Sequence, residues 1–200
     1  MSMNSTDEAL MCTVRDGGQA ELGVLFERHH RALYEFFFRM AGDRRESEKL
    51  VQDVFCRILK YRDTFREDGR FRPWLFRIAR NAYHDHFRKP RVEHPSSVGV
   101  EPPILRNVSP RSIGFMINDI TESLHSALLN LPEERKEMIV LSHYMGMSSD
   151  EIAELLDIEE PAARVNTHRA MMELREIYRR ILIENRSCDV TKSRLTSQSI

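Results

Sequence analysis

The chain has 200 residues, 41% of them hydrophobic and 30% charged, with a formal net charge of −1, so it has enough apolar material for one sizeable domain or two small ones. No apolar run approaches the roughly 18 residues of a membrane span, and the N-terminus lacks the basic-then-apolar order of a signal peptide, which excludes membrane insertion. Its three cysteines, Cys12, Cys56 and Cys188, form no C-x-x-C pair, so free thiols in a reducing compartment, the cytoplasm, are expected rather than a disulfide framework.

Residues 1–20 are polar, with Gly17 and Gly18 near their end, and read as a flexible lead-in. From Glu21 to Met40 the apolar residues Leu22, Leu25, Phe26, Leu33, Phe36, Phe37 and Met40 recur at helical spacing, and Gly42-Asp43 reads as a stop. His29 and His30 have no further His or Cys at ligand spacing, so no metal is expected there. A second helix over residues 45–61 carries Leu50, Val51, Val54, Phe55 and Ile58 as its buried stripe, with Gln52 and Asp53 beginning the opposite side. A charged loop with Gly69 follows.

The next stretch, FRPWLFRIARNAYHDHFRK over residues 71–89, sorts into two faces on a helix starting near Pro73. Leu75, Ile78, Ala79 and Ala82 share the apolar face, flanked by Phe76, Tyr83 and Phe87. Arg77, Arg80, Asn81, His84 and Arg88 share the other. Between Arg62 and Arg91 nine Lys/Arg stand against four Asp/Glu, so the cations of a nearly neutral protein are concentrated here. Guanidinium groups beside aromatic rings suit a single-stranded nucleic acid, whose phosphates pair with the cations while bases stack on the rings. A core helix with a solvated cationic side gives the same periodicity.

Residues 90–117 contain five of the eight prolines, which break helix and favour extended backbone, so this segment reads as a flexible linker between two helical units. The second unit, residues 118–185, opens with a helix to Asn130. A second helix begins at Leu131-Pro132-Glu133-Glu134 and ends at Gly146. Ser148-Ser149-Asp150-Glu151 is a capping box ahead of a short helix, and Pro161 starts a longer one to about Asn185. Short helix, turn and long helix form a helix-turn-helix arrangement, which a plain helical bundle also produces. From Pro132 to Glu160 nine acidic residues face two basic ones, a surface that avoids phosphate and suits a protein partner. Residues 186–200 read as a polar tail.

The order of these pieces resembles the extracytoplasmic-function sigma factors of the sigma-70 family. ESEKLVQDVFCRILK is similar to that family's core-polymerase-binding helix, and FRPWLFRIARNAYHDHFRK to its promoter-melting, −10-reading helix. LPEERKEMIVLSHYMGMSSDEIAELLDIEEPAARVNTHRAMMELRE is similar to its −35-binding module. The resemblance spans residues 21–180. It implies an all-α chain of two small helical domains: a sigma-2-like bundle over residues 21–89 and a sigma-4-like helix-turn-helix over 118–185, joined by the Pro-rich linker. It further implies that Leu50, Gln52 and Asp53 bind the polymerase core. Phe76, Arg77, Arg80, Asn81, His84 and Arg88 would meet the −10 element, with the loop from Phe65 to Phe71 receiving an unstacked base. Trp74 is expected to anchor the core rather than stack on a base, because large indoles are mostly buried. Arg164, Val165, Asn166, His168 and Arg169 would meet the −35 duplex. The implied partners are RNA polymerase core (the largest-subunit clamp and the flap), promoter DNA and an anti-sigma protein.

The chain departs from the family pattern at Lys49, where an acid is usual, and at Glu159-Glu160-Pro161-Ala162-Ala163, which opens the recognition helix with two carboxylates. A phosphate is repelled there, although the helix dipole favours the acids. No phosphate-binding loop, nucleophile elbow or paired ligand motif occurs, so neither catalysis nor a cofactor is expected. Two other readings stay open: a sigma-like decoy that binds an anti-sigma protein, and a free-standing helix-turn-helix repressor, which leaves the first domain unexplained.

Overall fold

A computed structural model describes residues 5–88 and 114–196, and every regular element among them is helical. Eight α-helices run in chain order: α1 (Asp7–Arg15), α2 (Gln19–Ala41), α3 (Arg44–Tyr61), α4 (Phe71–Arg88), α5 (Gly114–Leu129), α6 (Glu133–Ile139), α7 (Ser149–Leu156) and α8 (Glu160–Thr196). None of the helices among the described residues is long and apolar enough to cross a membrane. The bulk of the expected linker falls outside the described residues, and its last four positions, 114–117, already belong to α5.

The first unit packs α2, α3 and α4 around the stripes that periodicity predicts. Leu25, Leu33, Phe36, Phe37, Met40, Leu50, Val54, Ile58, Leu75, Phe76 and Ala79 are all buried. Phe36 meets Phe76 edge-on at 5.5 Å between ring centroids, a favoured aromatic geometry. Helix α2 stops where expected, at Gly42, whose φ of 74° suits a residue without a Cβ and whose N–H donates to the Phe38 carbonyl at 2.9 Å. Asp43 caps α3 by accepting from the Glu46 N–H at 3.0 Å.

The lead-in expected at residues 1–20 is instead largely helix α1. Thr6 caps it through the Ala9 N–H at 3.3 Å, and Leu10, Met11 and Val14 bury one face against the first unit. Asp7 accepts from Arg28 at 2.6 Å and pairs with His29 at 2.7 Å, and Glu8 accepts from the Phe71 N–H at 3.1 Å, so α1 supplies a cap for α4. The polar tail expected from residue 186 likewise continues the α8 backbone to Thr196.

In the second unit α6 runs into a π-helical turn over Val140–Tyr144, in which the Met145 N–H reaches the Val140 carbonyl at 2.9 Å. Gly146, at φ 61°, then turns the chain toward α7. The capping box forms as the sequence predicts: Ser148 accepts from the Glu151 N–H at 3.4 Å, and Glu151 accepts from the Ser148 N–H at 2.9 Å. Asp157 in the left-handed region makes the turn into α8. Leu128, Met138, Ile139, Val140, Ile152, Leu155, Ala163 and Ala170 form this unit's interior, and it is continuous with the interior of the first unit.

Because Met11 is wholly buried, Met11→Ala lowers the free energy of unfolding by about 2–5 kcal/mol in a denaturant titration. A segment loosely held in solution would lose nothing by that substitution.

Candidate nucleic-acid interface

Helix α4 has a buried half and a cationic half. Leu75, Phe76, Ile78, Ala79, Ala82 and Tyr83 are buried, whereas Arg77 and Asn81 are exposed and Arg80 and His84 are half-buried. Phe76 was expected on the nucleic-acid side. It is 1% exposed, inside the Phe36 cluster, and so presents no surface to a strand. Phe65 and Phe71 are also core residues and leave only 66–70 of their loop in solvent. Trp74 anchors the helix as expected: its edge packs on Phe65 at 5.2 Å and its Nε1–H donates to Thr64 at 3.2 Å. Of the three flanking rings only Phe87 remains open, packed 4.7 Å from Tyr83. Arg88 ends the helix, and its side chain lies outside the described residues.

An open groove of about 490 Å³ runs where α3 meets α4, lined by Arg57, Tyr61, Ile78, Asn81, His84 and Asp85. Arg57 holds its wall in place, donating to Asp53 at 2.8 Å and to Asp85 at 2.6 Å. On the other side of α3, Leu50 was expected to face a partner protein. It is 2% exposed and belongs to the core stripe, leaving exposed Gln52 and half-buried Asp53 as surface. Gln52 borders a second groove, of about 430 Å³, with Phe26, Tyr34 and Val51. Phe26 was predicted buried, yet it remains 37% exposed at that rim.

The cations of α4 do not face empty solvent. Arg80 donates to Glu137 at 2.8 Å, Arg77 donates to the Glu154 carbonyl, and His84 pairs with Glu133 at 3.0 Å. Arg70, just before the helix, donates to Asp150 at 2.5 Å and to Glu154 at 2.6 Å. The acidic segment that sequence assigned to a protein partner therefore lies on the basic helix of its own chain. Sequence reasoning missed this pairing although both charge counts were legible, because composition fixes sign and not position.

The packing also perturbs the buried ionisable groups. Burial pushes the Glu137 carboxyl above its ordinary range, against the opposing pull of Arg80. Burial, together with Glu133 and Glu137, pushes the Tyr83 phenol up to about 12, so it remains a neutral donor to the Met40 carbonyl at 3.4 Å. The same carbonyl accepts from Lys136 at 3.4 Å, a cation well placed at the C-terminus of α2 whose own value burial lowers. Asp150 is held down to about 2 by its hydrogen bonds from Ser148 and Arg70.

On α8, Arg164, Val165, His168 and Arg169 are exposed and Asn166 is half-buried, so the five predicted contact residues share an accessible stretch. Arg164 is tied to Glu160 at 2.6 Å, one turn earlier. Thr167 turns its hydroxyl back to the Ala163 carbonyl at 2.9 Å, which satisfies a polar group at a partly packed position.

The chain matches two family models, Sigma-70 region 2 over residues 25–92 and Sigma-70, region 4 over residues 121–174. It is 32% identical to the RNA polymerase sigma factor CarQ of Myxococcus xanthus, over 85% of this chain and 96% of that protein. It is 26% identical to the ECF RNA polymerase sigma factor SigX of Bacillus subtilis, over 88% of this chain and 93% of that one. Among solved structures it is similar to CnrH in complex with the cytosolic domain of CnrY, with a TM-score of 0.66 and 26% identity over 86% of this chain and 96% of that chain. A further likeness in fold, with a TM-score of 0.58 and 21% identity over 78% of this chain and 96% of that one, is to RpoE in complex with the anti-sigma factor NepR from Bartonella quintana.

The Arg80–Glu137 pair sets a pH dependence. Glu137 keeps 6% of its side chain exposed and Arg80 36%, so Arg80→Ala strands a carboxylate at a cost of about 2–3 kcal/mol, less than for a wholly buried pair. With the folded-state value of Glu137 raised, protonation relieves that cost at low pH. The stability deficit of Arg80→Ala relative to the native chain therefore grows as pH rises through the elevated Glu137 value, and urea titrations between pH 4.5 and pH 8 measure it.

Proposed function

The chain belongs to the extracytoplasmic-function sigma factors of the sigma-70 family, and on that premise we propose how its surfaces divide the work of a promoter-specificity subunit. It is a transcription initiation factor that acts with RNA polymerase on promoter DNA. The polymerase supplies the catalysis, and the complex works in the cytoplasm.

Gln52 and Asp53, with the groove bordered by Phe26, Tyr34 and Val51, receive a helix of the largest-subunit clamp. Arg77, Arg80, Asn81 and His84 take the −10 element as a single strand, with Phe87 as the ring open to stacking. On α8, Arg164, Val165, Asn166, His168 and Arg169 approach the −35 duplex, while the second unit also meets the polymerase flap. The domain boundaries follow this division, with residues 21–89 bearing the core and −10 surfaces and 118–185 the −35 surface. The observation that carries the reading is the split of α4 into a core half and a cationic half beside the α3 groove. A closed duplex hides its bases, so such a face serves an opened one.

An anti-sigma protein is the natural regulator of such a chain. Both solved relatives described above were captured with a protein partner, one of them an anti-sigma factor. The acidic opening of α8, Glu159-Glu160, keeps the decoy reading in play, since it opposes phosphate at the helix end nearest the duplex.

Run-off transcription with core polymerase on genomic fragments tests the whole assignment, and discrete core-dependent transcripts are expected. Gln52→Arg lowers core affinity at least about tenfold in a binding titration while altering stability by only about 0.5 kcal/mol, as exposed substitutions do. Arg169→Ala on a promoter library relaxes preference at one base pair by about 1–3 kcal/mol if the guanidinium reads a guanine. Uniform weakening across the library identifies a phosphate contact, and no change on any promoter supports the decoy.

A further inference from the structure

We propose that helix α1 positions the base-receiving loop: Glu8 and Arg15 tie down the two ends of the segment from Phe65 to Phe71 and thereby set which unpaired base it accepts. The inference rests on the promoter reading above, with this loop as the receiver of an unstacked base. It gives a role to a helix that precedes the stretches matched by both family models.

The loop has little within it to hold one shape. Its tip is a turn in which the Gly69 N–H donates to the Arg66 carbonyl at 3.0 Å. Arg66 pairs with Asp68 at 3.0 Å, but both side chains are largely exposed, and such pairs contribute little. Arg70 points to Asp150 and Glu154 of α7 rather than into the loop.

The ends are held from α1. At one end the Phe65 carbonyl accepts from Arg15 Nη1 at 3.4 Å. At the other the Phe71 N–H donates to Glu8 Oε1 at 3.1 Å. That N–H lies in the first turn of α4, where the helix offers it no partner, and a carboxylate there also suits the positive end of the helix dipole. Both hydrogen bonds are partly shielded from solvent.

Glu8 and Arg15 stand seven residues apart, so they project from one face of α1, about 10 Å apart along its axis. One rod therefore meets both ends of the loop. The rod is itself fixed, because Leu10, Met11 and Val14 are buried and Asp7 is bound to Arg28 and His29. Beneath the loop the rings of Phe65 and Phe71 meet at 6.2 Å, and Trp74 packs on both. Ring packing fills space without direction, whereas the two hydrogen bonds fix where the backbone enters and leaves.

A receiving loop that is already ordered discriminates between bases, because a poorly fitting base meets a backbone that does not yield. Loosened, the same residues adapt to any base, as mobile surfaces do in promiscuous binders. Glu8 and Arg15 touch no base in this scheme and act through the loop, as positioning residues.

The test uses the full chain with core polymerase and a promoter library randomised across the −10 element. Arg15→Met keeps the apolar stem and removes the donor, and Glu8→Ala removes the acceptor. Each lowers the preference for the favoured base at one −10 position by about fivefold or more and leaves −35 preferences at native values. Glu8→Gln, which can still accept from the Phe71 N–H, keeps the native preference. So does Met11→Ala, which weakens the packing of α1 and spares both ties. Amide hydrogen exchange in the free protein reads the ties without a promoter: Arg15→Met speeds exchange at Gly69 and Phe71, neither of which Arg15 bonds, by about tenfold. Base preferences within about twofold of native in folded Arg15→Met and Glu8→Ala overturn the proposal. An equal loss of preference in Met11→Ala overturns it as well, since that marks a merely structural role, and so does native exchange in Arg15→Met. A native chain that directs core-dependent transcription while the variants keep its base preferences leaves the promoter reading standing without this role for α1. A native chain that directs none ends the promoter reading and the role in base choice together, and faster exchange then marks α1 as a brace of the loop alone.

Discussion

Helix α4 must serve the interior and the surface at once, and much of the structure follows from that constraint. One half must close the hydrophobic interior made by α2 and α3, so Leu75, Phe76, Ala79 and Ala82 are wholly committed to packing. The other half collects arginines, which cannot enter that interior unpaired. An amphipathic helix of this kind solves its folding problem and displays its charges by the same rotation of side chains. The first unit can therefore be rigid where it presents cations, and α1 adds to that rigidity by capping α4 from Glu8.

The second unit answers the same constraint from outside. Its acidic residues lie on α6, on α7 and at the start of α8, and the turns at Gly146 and Asp157 aim the short helix α7 at the cationic face. Glu137 shows the energetic balance most clearly. Burial disfavours its charge and Arg80 favours it, so the pair persists only while both partners are held in place. Such a contact contributes orientation more than net stability.

Much of this was legible in the sequence, because periodicity reports which residues must be buried. The stripes of α2, α3 and α4, the stop at Gly42 and the capping box at Ser148 were read from local patterns and recur in the structure. Leu50 and Phe76 show where the reading failed. Each lies one or two residues from surface positions in sequence, but a helix turns about 100° per residue, so a near neighbour in the chain faces elsewhere. Helix α1 was missed because a short apolar run in a polar stretch looks weak alone. Leu10, Met11 and Val14 nevertheless share one face behind a Thr-Asp-Glu start. The docking of one unit on the other could not be read at all, since it depends on how groups 57 to 84 residues apart meet in space.

The outer face of α8 stands apart from this economy. Arg164, Val165, His168 and Arg169 are exposed, while Ala163, Ala170 and Leu174 on the inner face hold the helix to its own unit. Substitutions on the outer face disturb neither the interior nor the docking of α7 on α4. If that face meets the duplex as proposed, new duplex preferences can arise one exposed side chain at a time while the interior of both units is inherited intact. On that proposal, the residues free to diverge and the residues that hold the fold are separated by a half-turn of one helix.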